Sequence, residues 1–297
     1  MREVDVQIRE ALKSALLSLE EHFTADCIFY YGPIFPGVER RFREFIEHLR
    51  QDGAQKQRLI VFLNTPGGSA ETVEKLVEII RFNYAEVYFV VPDEAMSAGT
   101  IFCMSGDKIF MDYTSSLGPI DPQIYNGKIW VPALGYLDRV ERMIQKSLDG
   151  DLSEAELVIL QNQDLALLSQ YEQAKNLTIT LLKKWLVEYK FKDWIMHETN
   201  PEKQGQPVTL DEKQARAEEI ATLLSNNKIW HSHGRMIGIG TLTEIVRLRI
   251  EDFSTQVELR RKISAYNSLI TDYIAKNKNE FFLHSRCYFW HPAEQPR

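Results

Sequence analysis

The strongest constraint on the fold comes from two apolar runs, each followed by a segment of small residues. Residues 59–63 read LIVFL and lead into NTPGGS at 64–69, whereas residues 87–91 read VYFVV and precede DEAMSAGT at 93–100. A short apolar run that ends at Pro or Gly is typical of a strand buried on both faces of a parallel sheet. Because helical spacing follows each segment, the chain predicts two consecutive strand-to-helix junctions in an α/β fold.

The rest of the chain extends this pattern and then becomes helical. Residues 25–112 alternate strand and helix, which predicts right-handed β-α-β units around a largely parallel sheet. Capping boxes that begin at Ser153, Thr209 and Thr241 predict helix starts there. A long helical stretch after Ser153 is expected to break near Asn176. Further helices are predicted over residues 6–22, 134–148 and 254–278.

Composition excludes several classes of protein. The 297 residues are 44% apolar and 26% charged, so a full core can form without disulfide or metal staples. A net charge of −7 argues against general nucleic-acid binding. Three cysteines are too few for a disulfide framework, which predicts a cytoplasmic protein. No apolar stretch is long enough for a transmembrane segment, and the acidic start is unlike a secretory signal.

The two junctions offer the elements of a nucleophilic site. Gly67 and Gly68 permit close backbone approach, and N–H groups at a helix start can stabilise an anion. Ser97 follows Gly68 by 29 residues and is flanked by small residues that leave its hydroxyl approachable. A plain turn and a helix N-cap are the alternatives. Since parallel strands end at one sheet edge, a nucleophile and an oxyanion hole shared between both junctions is the sharper hypothesis.

Three segments together carry a resemblance to a known group of proteins. Residues 63–69, residues 95–99 and SLGPIDPQ at 116–123 resemble the ClpP/crotonase superfamily, and most closely the serine dehydrogenase proteinase family, a relative of ClpP and of signal peptide peptidase A. The resemblance covers roughly residues 25–250. It implies a ClpP/crotonase-like β-α-β superhelical core with an α-helical second half, and a serine hydrolase that acts on peptides without a cofactor.

The resemblance also assigns residues and organisation. It implies that Ser97 is the nucleophile, that Gly68 and Ala98 supply oxyanion N–H groups, and that Asp121 and His233 complete a triad. In such a triad the imidazole accepts the serine proton and the carboxylate fixes its tautomer. The implied partners are a peptide or protein substrate and further copies of the chain, as a trimer, hexamer or ring. The expected organisation is an N-terminal helix over 1–24, a peptidase domain over 25–250, and a C-terminal helix with an aromatic tail over 251–297.

Other residues compete for the role of base. His231 would share a face with His233 if the segment were a strand. Lys146 could act in a Ser–Lys pair like that of signal peptide peptidase A, although its neighbours indicate a solvated face. The spacing of His284, Cys287 and His291 is compatible with zinc, but no fourth ligand lies nearby, so packing is favoured and no metal is expected.

Three functions therefore stand against each other. The leading hypothesis is a soluble serine peptidase that forms an acyl-enzyme on Ser97. The alternatives are a crotonase-like acyl-CoA enzyme, which usually has glycine at that position, and a catalytically inactive assembly module. The charged helix over 6–22 replaces the membrane-spanning helix with which members of the family often begin, and the aromatic tail over 279–297 is a candidate for docking on a partner or at an oligomer interface.

Overall fold

The computed structural model describes residues 3–52, 56–125, 130–198 and 201–290. Within these ranges the strands are β1 (Asp26–Tyr31), β2 (Arg58–Asn64), β3 (Glu86–Val91), β4 (Glu94–Ala95), β5 (Lys108–Met111), β6 (Ser116–Leu117), β7 (Gln123–Tyr125), β8 (Trp130–Pro132), β9 (Glu251–Asp252), β10 (Phe282–Ser285) and β11 (Tyr288–Trp290). The helices are α1 (Glu3–Phe23), α2 (Val38–Gln51), α3 (Ala70–Asn83), α4 (Ala98–Met104), α5 (Ala133–Asp149), α6 (Glu154–Gln161), α7 (Leu165–Trp185), α8 (Leu210–Ser225), α9 (Asn227–Trp230), α10 (Ile239–Glu244) and α11 (Val257–Asn277), and a π-helical turn, Leu186–Lys190, continues α7.

The central sheet is mostly parallel, as predicted. Its strand order is β11-β10-β1-β2-β3-β5-β9. Strands β1, β2, β3, β5 and β9 run parallel to one another, and β10 and β11 add an antiparallel hairpin beside β1. Helices α2, α3 and α4 provide the crossovers between successive parallel strands, so the carboxyl ends of those strands share one edge. The α/β class with a helical second half is confirmed.

Burial on both faces explains why the strands read as continuous apolar runs. In β2, Leu59, Val61 and Leu63 face the core that contains α2, α3, α4, α7 and α8. The alternate residues Ile60 and Phe62 face a second core beneath α1 and α11. Because helices cover both faces, neither set of side chains can be polar, and the run loses the alternation expected of a half-exposed strand.

Two predicted features of the helical half are wrong. The chain does not break near Asn176, because this exposed residue lies within α7, whose buried residues include Leu181 and Trp185. Asparagine has a modest helix penalty, which such packing outweighs. Thr241 does not begin a helix either, since α10 begins at Ile239 after Gly238. The capping boxes at Ser153 and Thr209 are both formed. No helix in the described ranges is at once long and apolar enough to cross a bilayer.

The aromatic tail, as far as Trp290, extends the sheet of its own chain. In β10, His284 pairs antiparallel with Phe29 of β1, and β11 folds back on β10. Arg286, in the turn of this hairpin, donates to the buried carboxylates of Glu20 and Asp26 at 2.8 Å each. The hairpin is therefore held by sheet hydrogen bonds and by a buried charge cluster of its own chain, and docking of the tail on a partner stays a prediction. Residues 291–297 lie outside the described ranges.

We expect Arg286→Met to destabilise the protein by about 3–5 kcal/mol, because it removes the cation that bonds to both buried carboxylates. Among the described residues, Glu20 then keeps only the longer ion pair with Lys56, at 3.7 Å, and Asp26 only neutral donors such as the Tyr84 hydroxyl. The matched control is Arg249→Met, since Arg249 is 81% exposed in its pair with Glu251 and such surface pairs contribute about 1 kcal/mol or less. Urea unfolding monitored by circular dichroism measures both. Equal shifts of the two unfolding midpoints would show that the bonds from Arg286 to Glu20 and Asp26 do not stabilise the fold.

Candidate active site

A small second layer of strands brings the two junctions together at the carboxyl edge of the sheet. Strand β4 pairs in parallel with β6, and on its other side Ala95 bridges to Thr65. Ile34, from the loop after β1, bridges in parallel to Gly68. Four chain segments therefore lie side by side above the ends of β1, β2 and β3, where ligands bind in open parallel sheets.

Two glycines allow this layer to close. Gly67 has a φ of +104°, and a Cβ built on it would lie 2.8 Å from the Cβ of Ser97. Gly68 has a φ of +149°, and its Cβ would lie 1.9 Å from the carbonyl oxygen of Ile34. Any side chain at either position would separate the segments, because both approaches are shorter than a van der Waals contact. The first junction thus touches the second directly.

Ser97 adopts a strained backbone at the start of α4. Its φ of 52° and ψ of −115° fall outside the regions that L-residues normally occupy. Its side chain makes no capping hydrogen bond, so the N-cap alternative does not describe it. The residue is partly exposed. A strained, partly exposed serine at a strand-to-helix turn, whose hydroxyl makes no hydrogen bond among the described residues, resembles the nucleophile that α/β-hydrolases use on another fold.

Two backbone donors beside Ser97 are also unused. Within the described ranges, the N–H groups of Gly68 and Ala98 donate to no acceptor. The flanking amides of Ser69 and Gly99, by contrast, donate to backbone carbonyls at 2.8 Å. One free donor comes from each junction. Unpaired N–H groups beside a nucleophile are free to donate hydrogen bonds to an incoming oxygen, which is the role of an oxyanion hole.

A buried threonine joins α4 to the segment that carries Asp121. The Thr100 hydroxyl lies 2.8 Å from the carbonyl oxygen of Ala95 and 2.9 Å from that of Gly118. It also accepts from the Gly118 N–H at 2.9 Å. A Cβ on Gly118 would lie 3.1 Å from the nitrogen of Ser97. The segment that follows β6 therefore runs beside the serine turn and is fixed to it through one side chain.

Asp121 and His233 form a hydrogen-bonded pair. The distance between His233 Nδ1 and Asp121 Oδ1 is 2.8 Å, and the Asp121 side chain is only 3% exposed. The loop that carries His233 is tied to β6 by two backbone hydrogen bonds between Leu117 and Ile237, of 3.0 and 2.8 Å. In the described chain no hydrogen bond joins Ser97 Oγ to an imidazole nitrogen. Such contacts are often long before substrate binds.

The alternative bases lie in different surroundings. His231 ends α9 in a left-handed conformation and is exposed, so it does not share a strand face with His233. Lys146 lies on α5 with its Nζ 2.6 Å from Glu156 Oε1 in an exposed ion pair. The hydrogen bond from Lys146 is the largest of the effects that lower the pKa of Glu156 to about 2.

The histidine of the tail packs in the second core. His284 Nδ1 lies 2.7 Å from the Tyr266 hydroxyl, and complete burial lowers its pKa to about 3. Its predicted companion His291 lies outside the described ranges. In the part of the chain that the structure describes, no three His, Cys, Asp or Glu side chains are grouped so as to hold a metal ion.

One interaction at the site had no counterpart among the predicted roles. Gln123 Nε2 donates to Asp121 Oδ2 at 3.0 Å. Gln123 lies within the segment 116–123 that carries the resemblance, but a glutamine has no distinctive spacing or charge that would indicate a role. The role of Thr100 is equally hard to predict, because a threonine in a short apolar helix is normally interpreted as a core residue.

Comparison with known proteins gives one matching family model and two similar proteins. The family model described as ClpP-like SDH-type serine proteinase matches residues 34–227. Two proteins of Methanocaldococcus jannaschii with no described function, MJ0137 and MJ1495, are each 32% identical, over 133 and 92 residues. These matches cover 45% and 31% of this chain, and 42% and 30% of the relatives. The chain thus spans less than half the length of the curated relatives it matches.

Solved structures similar to the chain include two variants of one protease. A serine-to-alanine variant of the 1510-N membrane-bound stomatin-specific protease is 15% identical with a TM-score of 0.43, and 80% of this chain and 81% of that one are covered. A lysine-to-alanine variant of the same protease, in complex with a substrate peptide, is 20% identical with a TM-score of 0.33, covering 55% of this chain and 60% of that one.

We expect Gly68→Ala to destabilise the protein by about 3 kcal/mol or more, because backbone strain and the clash with Ile34 add together. Gly150→Ala is the matched control, since Gly150 also has a positive φ, +78°, but a Cβ there meets nothing within 4 Å. That control should cost only about 1–2 kcal/mol. Thermal and urea unfolding compare them. Equal losses would mean that the close approach of Gly68 to Ile34 contributes nothing.

Proposed function

The chain belongs to the family of ClpP-like SDH-type serine proteinases, and on that premise we propose that it hydrolyses peptide bonds through an acyl-enzyme on Ser97. The observation that carries the proposal is a strained serine turn in contact with the first junction at Gly67, with one N–H at Gly68 and one at Ala98 that bond to no described acceptor. This geometry is suited to attack on a carbonyl carbon, because the oxygen that becomes negative has two donors waiting.

The proposed reaction has two halves. The Ser97 oxygen attacks the peptide carbonyl carbon while His233 Nε2 accepts the hydroxyl proton. The tetrahedral oxyanion accepts hydrogen bonds from the N–H groups of Gly68 and Ala98. The C–N bond then breaks as His233 returns the proton to the leaving amine. A water molecule attacks the acyl-enzyme by the same route, releasing the acid and restoring the serine.

The pairing of Asp121 with His233 supports this assignment of the proton. A carboxylate accepts hydrogen bonds only, so the hydrogen between Asp121 Oδ1 and His233 must reside on Nδ1. A neutral imidazole protonated at Nδ1 carries its lone pair on Nε2. The carboxylate therefore fixes the tautomer in which the free nitrogen is the base, and it stabilises the imidazolium that forms.

The surroundings of the other two bases favour His233. His231 is exposed, with no carboxylate bonded to its ring among the described residues. Lys146 is a half-exposed ammonium paired with Glu156. Of the three candidates, His233 is the one whose tautomer is fixed by a carboxylate, with Nε2 left as the proton acceptor.

We expect a fluorophosphonate probe to label the wild-type protein and to leave Ser97→Ala unlabelled. Asp121→Asn and His233→Ala should slow labelling by about 10²- to 10⁴-fold, the usual contribution of general acid–base catalysis. His231→Gln and Lys146→Met are the matched controls and should stay within about twofold of wild type. In-gel fluorescence at several times of incubation gives the rates.

The outcomes separate the alternatives. Equal labelling of Ser97→Ala would reject the nucleophile, and a full loss of labelling in Lys146→Met would replace His233 by a lysine base. Acyl-CoA binding by calorimetry, in protein that the probe does not label, would instead favour a crotonase-like enzyme. A protein that shows neither reactivity would be an assembly module.

We also propose that the chain forms homo-oligomers through its helical half. Helix α6 has no buried residue, and Leu157, Val158 and Ile159 are between 42% and 58% exposed. Contiguous exposed apolar side chains on a folded protein commonly mark an interface. A cytoplasmic location stays a prediction from the cysteine content.

The expected result is that Val158→Asp lowers the oligomer mass measured by sedimentation velocity, because a charge in a dry interface is costly to desolvate. Phe82→Asp serves as the control, since Phe82 is 91% exposed on α3 and away from α6 in sequence. A wild-type protein that sediments as a monomer at micromolar concentration would rule out this assembly.

A further inference from the structure

The carboxylate of Asp121 is held at both oxygens. Its Oδ1 pairs with His233 Nδ1, while its Oδ2 accepts from Gln123 Nε2 at 3.0 Å. The orientation of the glutamine amide follows from chemistry, because a carboxylate oxygen can accept only from the NH₂ end. A buried carboxylate is stable when each oxygen has a donor, and here two side chains supply them.

The two residues that flank Asp121 do not provide a substitute backbone donor. The N–H of Ile120 donates to the carbonyl oxygen of Leu224, and Pro122 has no N–H. In the described chain, Gln123 is therefore the residue that bonds to Asp121 Oδ2. Without it the carboxylate could rotate about its Cβ–Cγ bond, since a single hydrogen bond at Oδ1 does not fix the plane of the group.

The glutamine is itself well placed to hold that plane. Its backbone lies in β7, opposite Pro132 of β8. The hairpin is closed at its base by a 2.9 Å hydrogen bond from the Ala133 N–H to the Pro122 carbonyl oxygen. Hydrogen bonds therefore hold the backbone on both sides of Asp121, at Ile120 and at Pro122, and the glutamine side chain extends from this fixed backbone.

We propose that Gln123 is a positioning residue, which fixes the plane of the Asp121 carboxylate and through it the imidazole of His233. The inference rests on the proposed function. It adds Gln123 as a fourth residue to the proposed triad of Ser97, His233 and Asp121. Gln123 acts on the histidine only through the aspartate, so it is not itself a catalytic residue.

The first test compares labelling rates in the full chain. Gln123→Met removes the donor at nearly constant size, and we expect fluorophosphonate labelling of Ser97 to slow by about 10- to 100-fold, the value of a hydrogen bond to a charged group. Gln145→Met is the matched control, because Gln145 also donates to an aspartate, Asp149, at 3.0 Å but on the exposed face of α5. Labelling of Gln123→Met at the wild-type rate would overturn the proposal.

A second variant separates positioning from loss of structure through its pH profile. In Gln123→Glu the introduced carboxyl can donate to Asp121 only while it is protonated, so the hydrogen bond to Oδ2 is lost as the pH rises. The labelling rate of Gln123→Glu relative to wild type should therefore fall with rising pH. His231 on the same loop and the Lys228–Asp138 ion pair between α9 and α5 are common to both proteins. A ratio of the two rates that does not change with pH would refute the role.

A third measurement does not depend on catalysis. In Ser97→Ala protein, proton NMR should show the His233 Nδ1 hydrogen at low field, because its bond to Asp121 protects it from solvent. We expect this signal to be lost in Ser97→Ala with Gln123→Met and kept in Ser97→Ala with Gln145→Met. If the probe fails to label wild type, the proposed function fails while this comparison still decides the role of Gln123. Retention of the signal without Gln123 would refute the proposal.

Discussion

The site depends on one steric condition, which is that no side chain stands between the first junction and its neighbours. Gly67 lies against Ser97, and Gly68 lies against Ile34, at distances that exclude a Cβ atom. This contact lets the segments above the sheet pair with one another, and the N–H groups of Gly68 and Ala98 bond to no acceptor in the described ranges. The strained backbone of Ser97 persists because the surrounding hydrogen bonds determine it more strongly than its own preference does.

The parts of the site are supported by different elements, and a few polar contacts connect them. The main sheet fixes where β2 and β3 end, because each strand pairs in parallel with its neighbours and is packed between two apolar cores. Thr100 links the serine helix to the segment that leads to Asp121. Leu117 and Ile237 link that same segment to the histidine loop. Buried hydrogen bonds of this kind specify one arrangement, because each group left unpaired would carry a desolvation cost.

Features that depend on local sequence could be predicted, whereas features that depend on long-range pairing could not. The parallel strands, α4 and the two junctions follow from short apolar runs and from glycine, so they are readable within ten residues. The hairpin of β10 and β11 is not, because its register is set by β1 at the other end of the chain. The continuity of α7 past Asn176 is decided by tertiary packing, and the bond from Gln123 to Asp121 depends on side-chain geometry that no spacing rule encodes.

The same connections indicate how the three groups of the proposed triad could work together. Proton transfer needs the serine oxygen and the imidazole nitrogen within hydrogen-bond reach. The backbone that carries each of them is already bound to the segment 117–121, through Thr100 on one side and Ile237 on the other. The imidazole plane is set by Asp121, whose own plane is set by Gln123. The remaining freedom lies in the side chain of Ser97, whose hydroxyl makes no hydrogen bond among the described residues, so no such bond opposes its rotation toward the imidazole.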